Sequence, residues 1–214
     1  MASLNRPIKG VVLDVGETLV DETEYWGRFA DRLRVSRLTF FATLGWLLKS
    51  GAPHQEVFAR VSPETDWRSL VRDREPPFGA SDLYPDAVPT IDRLRAAGLL
   101  VVVAGNQPEA GEGALTEAGV RADLVISSDR LGAAKPDPRF FVELAAAVNL
   151  DASEMVSVGD RVDNDVLPAL QARMAAIHLR RGPWGIAHID HPGAAKATAC
   201  LDSLTEVADL LAPL

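Results

Sequence analysis

The stretch VVLDVGETLVDE, residues 11–22, begins as an unbroken apolar run, meets one carboxylate at Asp14, and passes through Gly16 into a polar turn. A short continuous run rich in β-branched residues reads as a strand buried on both faces, the pattern of a parallel sheet covered by helices. This first run starts at Ile8, and comparable runs stand at Leu99–Ala104, Leu124–Ile126, Met155–Val158 and Ala175–Leu179. Between them lie stretches with helical spacing: Pro85–Ala97, Pro108–Ala118, Pro138–Val148, Asn164–Met174 and Leu204–Leu211. Strand and helix in alternation predict an α/β fold, a doubly wound parallel sheet of Rossmann-like form.

One segment breaks the alternation. From about Thr23 to Ser81 the apolar positions recur at helical spacing, as in Trp26, Phe29 and Leu33, then Leu38, Phe41, Leu44 and Leu48, then Val57, Val61 and Leu70. The expectation is a small all-helical cap at residues 21–81 inserted into a core formed by residues 1–20 and 82–214. Glu75–Ser81, with Pro76, Pro77 and Gly79, reads as the return linker. Phe40, Phe41 and Trp46 are expected in the interior of the cap rather than in a substrate pocket.

Composition narrows the classes of function. The chain has 214 residues with 30 acidic and 22 basic side chains, a net charge of −8. That balance argues against a protein whose main task is gripping nucleic acid or an anionic membrane. A small anionic substrate would need a metal ion or a few placed cations. Cys200 is the only cysteine, which fits a reducing compartment. The start MASLNRPIKG has no apolar stretch to act as a signal peptide, and Leu38–Leu48 is too short for the roughly 20 residues that span a bilayer. A cytoplasmic location is expected. Oligomeric state is not legible.

In a parallel sheet the carboxyl ends of the strands face the binding crevice. The first strand ends in Asp14, the second in Gly105 and Asn106 (VVVAGNQ), and the fourth in Gly159 and Asp160 (VSVGDRVDND, which continues to Asp165). Lys135 follows the third (GAAKPDPRFF), stiffened by Pro136 and Pro138.

This set resembles the haloacid dehalogenase-like superfamily, and LYPDAVPTIDRLRAAG, KPDPRFF and VGDRVDNDVLPALQARM are similar to that family's surroundings for its cap return and later motifs. The resemblance covers nearly the whole chain. It implies a hydrolase with a cap over the site, Asp14 as nucleophile and Mg²⁺ ligand, and Lys135 as the adjacent cation. Gly105, Asn106 and Lys135 would bind substrate. Asp160 and Asp165 would hold Mg²⁺ together with the backbone carbonyl at Gly16. The chemistry suits the residue types, because a carboxylate attacking an anionic phosphate meets repulsion that a divalent cation and an ammonium both relieve.

Two positions depart from the family pattern. Its phosphatases carry a second Asp where this chain has Gly16, and a Ser or Thr where it has Gly105. The first loss removes a general acid and base, a contribution of about 10²–10⁴ in rate. The leading expectation is a Mg²⁺-dependent phosphatase acting on a small phosphorylated metabolite through a phospho-Asp14 intermediate. A phosphate-binding or regulatory protein without turnover is the alternative, and a 2-haloacid dehalogenase the third. Whether Glu17 replaces the missing acid stays open, with solvent exposure or a hydrogen bond to the turn as its simpler role. Asp21 and Glu22 are expected to face water at the entrance to the cap. His178, His188 and His191 lie in a Gly/Pro-rich stretch and make a poor zinc pattern.

Overall fold

A computed structural model describes residues 7–67 and 78–213. Six strands form one parallel sheet: β1 (Gly10–Leu13), β2 (Leu100–Gly105), β3 (Leu124–Ser127), β4 (Met155–Gly159), β5 (Ala175–Leu179) and β6 (Ala199–Leu201). Their order is β3-β2-β1-β4-β5-β6. The direction of winding therefore reverses between β1 and β4, and in open parallel sheets ligands bind at such a switch point, beyond the carboxyl ends of the strands.

Side chains alternate between the two faces of each strand, and each face buries its own core. Val11, Leu13, Val101, Val103, Val156 and Val158 pack with Ile91, Leu94 and Leu115 on one side. Val12, Val102, Ala104 and Met155 pack with Phe140, Phe141, Leu144 and Val166 on the other. Burial on both faces is why these strands show no regular alternation of apolar and polar residues.

Between β1 and the helix Ala87–Ala96 stand α1 (Thr23–Arg32), α2 (Arg37–Ser50) and α3 (Glu56–Val61), with no strand among the described residues of 23–67. They share a cluster of Trp26, Phe29, Phe40, Leu44, Leu47 and Phe58. Leu70 and residues 75–77 of the expected return linker lie outside the described residues. Trp46 is 56% exposed, not interior, with the Arg60 guanidinium 4.8 Å over its ring. The cluster also takes in Trp184, which comes from the far end of the chain. Its indole lies 5.9 Å from Trp26 and 5.6 Å from His54, centroid to centroid.

Some elements lie outside the sequence expectation, among them the short helix Ser128–Leu131. The helix Gly182–Ala187 has a sequence, GPWGIA, whose glycines and proline read as loop. β6 is a three-residue edge strand. His178 stands in β5, within the expected run Ala175–Leu179, and is fully buried. No helix of the described residues is long and apolar enough to cross a membrane.

Candidate active site

β1 delivers Asp14 to the switch point, and β4 delivers Asp160 beside it. Lys135 reaches in from the loop after β3, and its bond to Pro136 is cis. Its Nζ donates to Asp14 Oδ1 and to Asp165 Oδ1, both at 2.7 Å. The Lys135 side chain is 1% exposed, as is that of Asp165, whereas Asp14 keeps 13% of its side chain accessible. The expected nucleophile is therefore the member of this group that a solute can reach.

Asp14, Asp160 and Asp165 each place a carboxylate oxygen within 4.8 Å of the others. Burial is the main cause that raises the Asp160 carboxyl well above its usual range, followed by the Asp165 and Asp14 carboxylates. Burial likewise pushes Asp165 up to about 6, against the opposing pull of the Lys135 ammonium and the Arg161 N–H. For Lys135, burial would lower the pKa, but the carboxylates of Asp14 and Asp165 overcome it and hold the ammonium above the ordinary lysine value. Three clustered carboxylates and one ammonium leave excess negative charge, which an added cation would relieve.

The turn that carries Asp165 is wound as a π-helix, Val162–Val166. Asp165 Oδ2 accepts the Arg161 N–H at 3.0 Å, so the carboxylate folds back over its own turn. Only glycine permits this at position 159, because a Cβ there would stand 2.4 Å from Asp165 Cγ. Arg161 pairs with Asp163 at 2.7 Å, as a simple salt-bridged side chain.

Asn106 is tied to the lysine loop: its Oδ1 accepts the Lys135 N–H and its Nδ2 donates to the Lys135 carbonyl. Gly105 lies close beneath the site, where a Cβ would come within 3.0 Å of Val15 Cγ2 and 3.5 Å of Asp14 Oδ1. A hydroxyl-bearing residue there would crowd both. Glu17 is 4% exposed and has φ 53°, an unusual backbone for glutamate. Its Oε2 accepts the Tyr84 hydroxyl at 2.7 Å and its Oε1 the Glu22 N–H at 3.1 Å. Burial raises its pKa, with the Tyr84 hydroxyl working against the rise.

Glu22 corrects an expectation. It does not face open water: Oε2 accepts the Trp26 indole N–H at 3.0 Å, and its carboxyl leans on Gly16. Burial pushes this carboxyl up to about 7, helped by the Glu17 and Asp14 carboxylates. Sequence spacing gives no hint of the approach, because Gly16 and Glu22 meet only through the reversal that bridges Gly16 to Val20. His188 accepts the Val162 N–H on Nδ1, and the histidines form no metal cluster among the described residues.

A family model for haloacid dehalogenase-like hydrolases matches residues 8–173, and the chain belongs to that family. It is similar to a glyceraldehyde 3-phosphate phosphatase of Methanopyrus kandleri, 31% identical over 134 residues that cover 61% of this chain and 57% of the relative. The match thus spans little more than half of that relative's length. It is 26% identical to a plasmid-encoded phosphoglycolate phosphatase of Cupriavidus necator over 100% of this chain and 97% of that one. A solved dehalogenase with an intermediate complex superposes with a TM-score of 0.69 at 22% identity, covering 96% of this chain and 97% of the other. At that identity the likeness concerns the fold.

Proposed function

We propose that this protein is a Mg²⁺-dependent phosphatase that hydrolyses a small phosphorylated metabolite through a phospho-Asp14 intermediate. The observation that carries the reading is the double contact of the buried Lys135 ammonium with Asp14 and Asp165, beside a third carboxylate at Asp160. That donor set is all oxygen and strongly anionic, which suits a hard divalent cation. Asp14 and Asp160 would hold the ion, with Asp165 alongside and shared with Lys135. When bound, Mg²⁺ supplies positive charge against the phosphoryl oxygens.

The chain's own residues do the rest. Lys135 occupies Asp14 Oδ1 and so orients the carboxylate with Oδ2 as the attacking atom. The ammonium also lowers the repulsion between that carboxylate and an incoming phosphate. Asn106 holds the lysine loop in register and has a second amide N–H to offer to a phosphoryl oxygen. The relatives named above, one acting on glyceraldehyde 3-phosphate and one on phosphoglycolate, support a small phosphate ester as substrate.

The test is hydrolysis of p-nitrophenyl phosphate and of short-chain acid and aldehyde phosphates, with Mg²⁺ and with EDTA, in wild type and Asp14→Asn. Metal-dependent phosphate release that vanishes in the variant is expected. Metal-independent chloride release from 2-chloropropionate, or phosphate binding without turnover, would overturn the proposal in favour of a dehalogenase or a binding protein respectively.

A further inference from the structure

Phosphoryl transfer through Asp14 needs a proton for the leaving oxygen and later a base for water, and position 16 has no side chain to serve. A Cβ built on Gly16 shows what fills the space instead. It would lie 2.7 Å from Oε1, 2.9 Å from Cδ and 3.3 Å from Oε2 of Glu22. In an aspartate the carboxylate oxygens sit roughly 2.4 Å from their own Cβ by standard bond lengths. The Glu22 carboxyl therefore stands as close to that Cβ as an aspartate's own carboxylate would, and competes with any side chain at position 16 for the same space.

Glu22 is held there firmly. Its N–H donates to Glu17 Oε1, its carbonyl accepts the Trp26 N–H at 2.9 Å as α1 begins, and its Oε2 accepts the Trp26 indole. Oε1, the oxygen nearest the Gly16 position, is not the one the indole takes. The other carboxyls near Asp14 have different engagements. Asp165 is bound by Lys135 and the Arg161 N–H. Asp160 lies buried at the foot of the cluster. Glu17 points away, toward the Tyr84 hydroxyl and Gly182, where a Cβ would meet its Oε2.

We propose that the Glu22 carboxyl, carried on the first residues of the cap, is the general acid and base of this site. The proposal rests on the phospho-Asp14 reading above. In the first half-reaction Asp14 Oδ2 bonds to phosphorus, the bond from phosphorus to the leaving oxygen breaks, and that oxygen takes the proton of Glu22. In the second, the Glu22 carboxylate takes a proton from water, whose oxygen bonds to phosphorus as the phosphorus–Asp14 bond breaks. Phosphate leaves, and both carboxyls return to their starting states.

The experiment compares wild type, Glu22→Gln, Glu22→Ala, Gly16→Asp and the Gly16→Asp/Glu22→Ala double variant, with Asp14→Asn as a separate control. Substrates are phosphate monoesters spanning alkyl to nitrophenyl leaving groups. Glu22→Gln, which keeps an acceptor for Trp26, should lower kcat/KM for alkyl phosphates by about 10²–10⁴-fold. With p-nitrophenyl phosphate kcat/KM should stay within roughly threefold, because that leaving group departs without a proton, while kcat falls and phospho-Asp14 accumulates as a burst seen by rapid-quench mass spectrometry. The double variant should recover at least about tenfold over Glu22→Ala, since its new carboxyl enters emptied space, and Gly16→Asp alone should not gain. A stability readout needs no turnover: Gly16→Ala should lower Tm in wild type and much less in the Glu22→Ala background. A uniform loss across leaving groups, unchanged kinetics in Glu22→Gln, or no difference between the two Gly16→Ala shifts would overturn the role of Glu22 and leave the Asp14 reading standing. Turnover that survives in Asp14→Asn would instead overturn the phospho-Asp14 reading, and this proposal with it.

Discussion

Asn106 grips the main chain of Lys135 at both polar groups, accepting its N–H at 2.8 Å and donating to its carbonyl at 2.7 Å. The carboxamide thus behaves as a short cross-link between the end of β2 and the loop after β3. Asn106→Asp keeps the acceptor but turns the donor into a second oxygen facing the Lys135 carbonyl. We expect a loss of about 1–3 kcal/mol in urea unfolding and a fall in kcat that Asn106→Gln does not rescue. Unaltered kinetics in Asn106→Asp would show that the lysine loop holds its place without the clamp.

Lys135→Met removes the only ammonium from a group of three carboxylates. Breaking a buried pair by deleting one partner costs about 3–5 kcal/mol, because the remaining charge keeps its desolvation penalty. The loss should be largest at neutral pH and shrink on acidification as the carboxylates protonate. Added Mg²⁺ should restore part of it. A variant as stable as wild type at pH 7.5, by chemical denaturation, would show that the Lys135 ion pairs contribute nothing net to folding.

Gly159→Ala places a methyl group where Asp165 now packs, 2.4 Å from its Cγ. Asp165 must swing away and release Lys135, so the expected result is a loss of about 1–3 kcal/mol together with most of the activity. Urea titration and a phosphatase assay check the two halves of this expectation.

The raised carboxyls set a pH dependence for the metal-free protein. Glu22 stands at about 7 against an ordinary 4.5, and Asp165 at about 6 against 3.8. An acid whose pKa is higher in the folded chain favours folding fully below its unfolded value, and that contribution is lost as pH rises through the folded one. In EDTA, stability should therefore fall between about pH 4 and pH 7, and Glu22→Gln should flatten the upper part of the fall by on the order of 1–3 kcal/mol. A slope that is the same in wild type and Glu22→Gln would show that Glu22 titrates as an exposed acid.

Strand ends were legible because burial on both faces keeps the strands mostly apolar, with Ser157 and His178 as buried polar exceptions, so Asp14, Asn106 and Asp160 stand out where their runs stop. Lys135 was legible through its prolines and its resemblance to the family motif. β6 was not, since Ala199–Leu201 is a short edge strand with Cys200 exposed and no apolar run to mark it. The helix Gly182–Ala187 uses Gly182 at φ 65° and Pro183 in its first turn, a start that composition alone reads as loop. Glu22 escaped for another reason. Its meeting with Gly16 depends on the left-handed Glu17 and the turn around it, and periodicity carries no trace of a single positive φ.

The indole of Trp26 has two attachments: its N–H holds Glu22, and its ring lies against Trp184 from the opposite end of the chain. Separating α1 from the segment around Trp184 would pull apart two indoles whose centroids are 5.9 Å apart, and would shift the partner of the Glu22 carboxyl in the same movement. If Glu22 has the role proposed above, the seating of α1 against Trp184 and the placement of that carboxyl would be one mechanical event. Two neighbouring indoles leaving an apolar contact change their emission, so tryptophan fluorescence would report such a separation without any turnover.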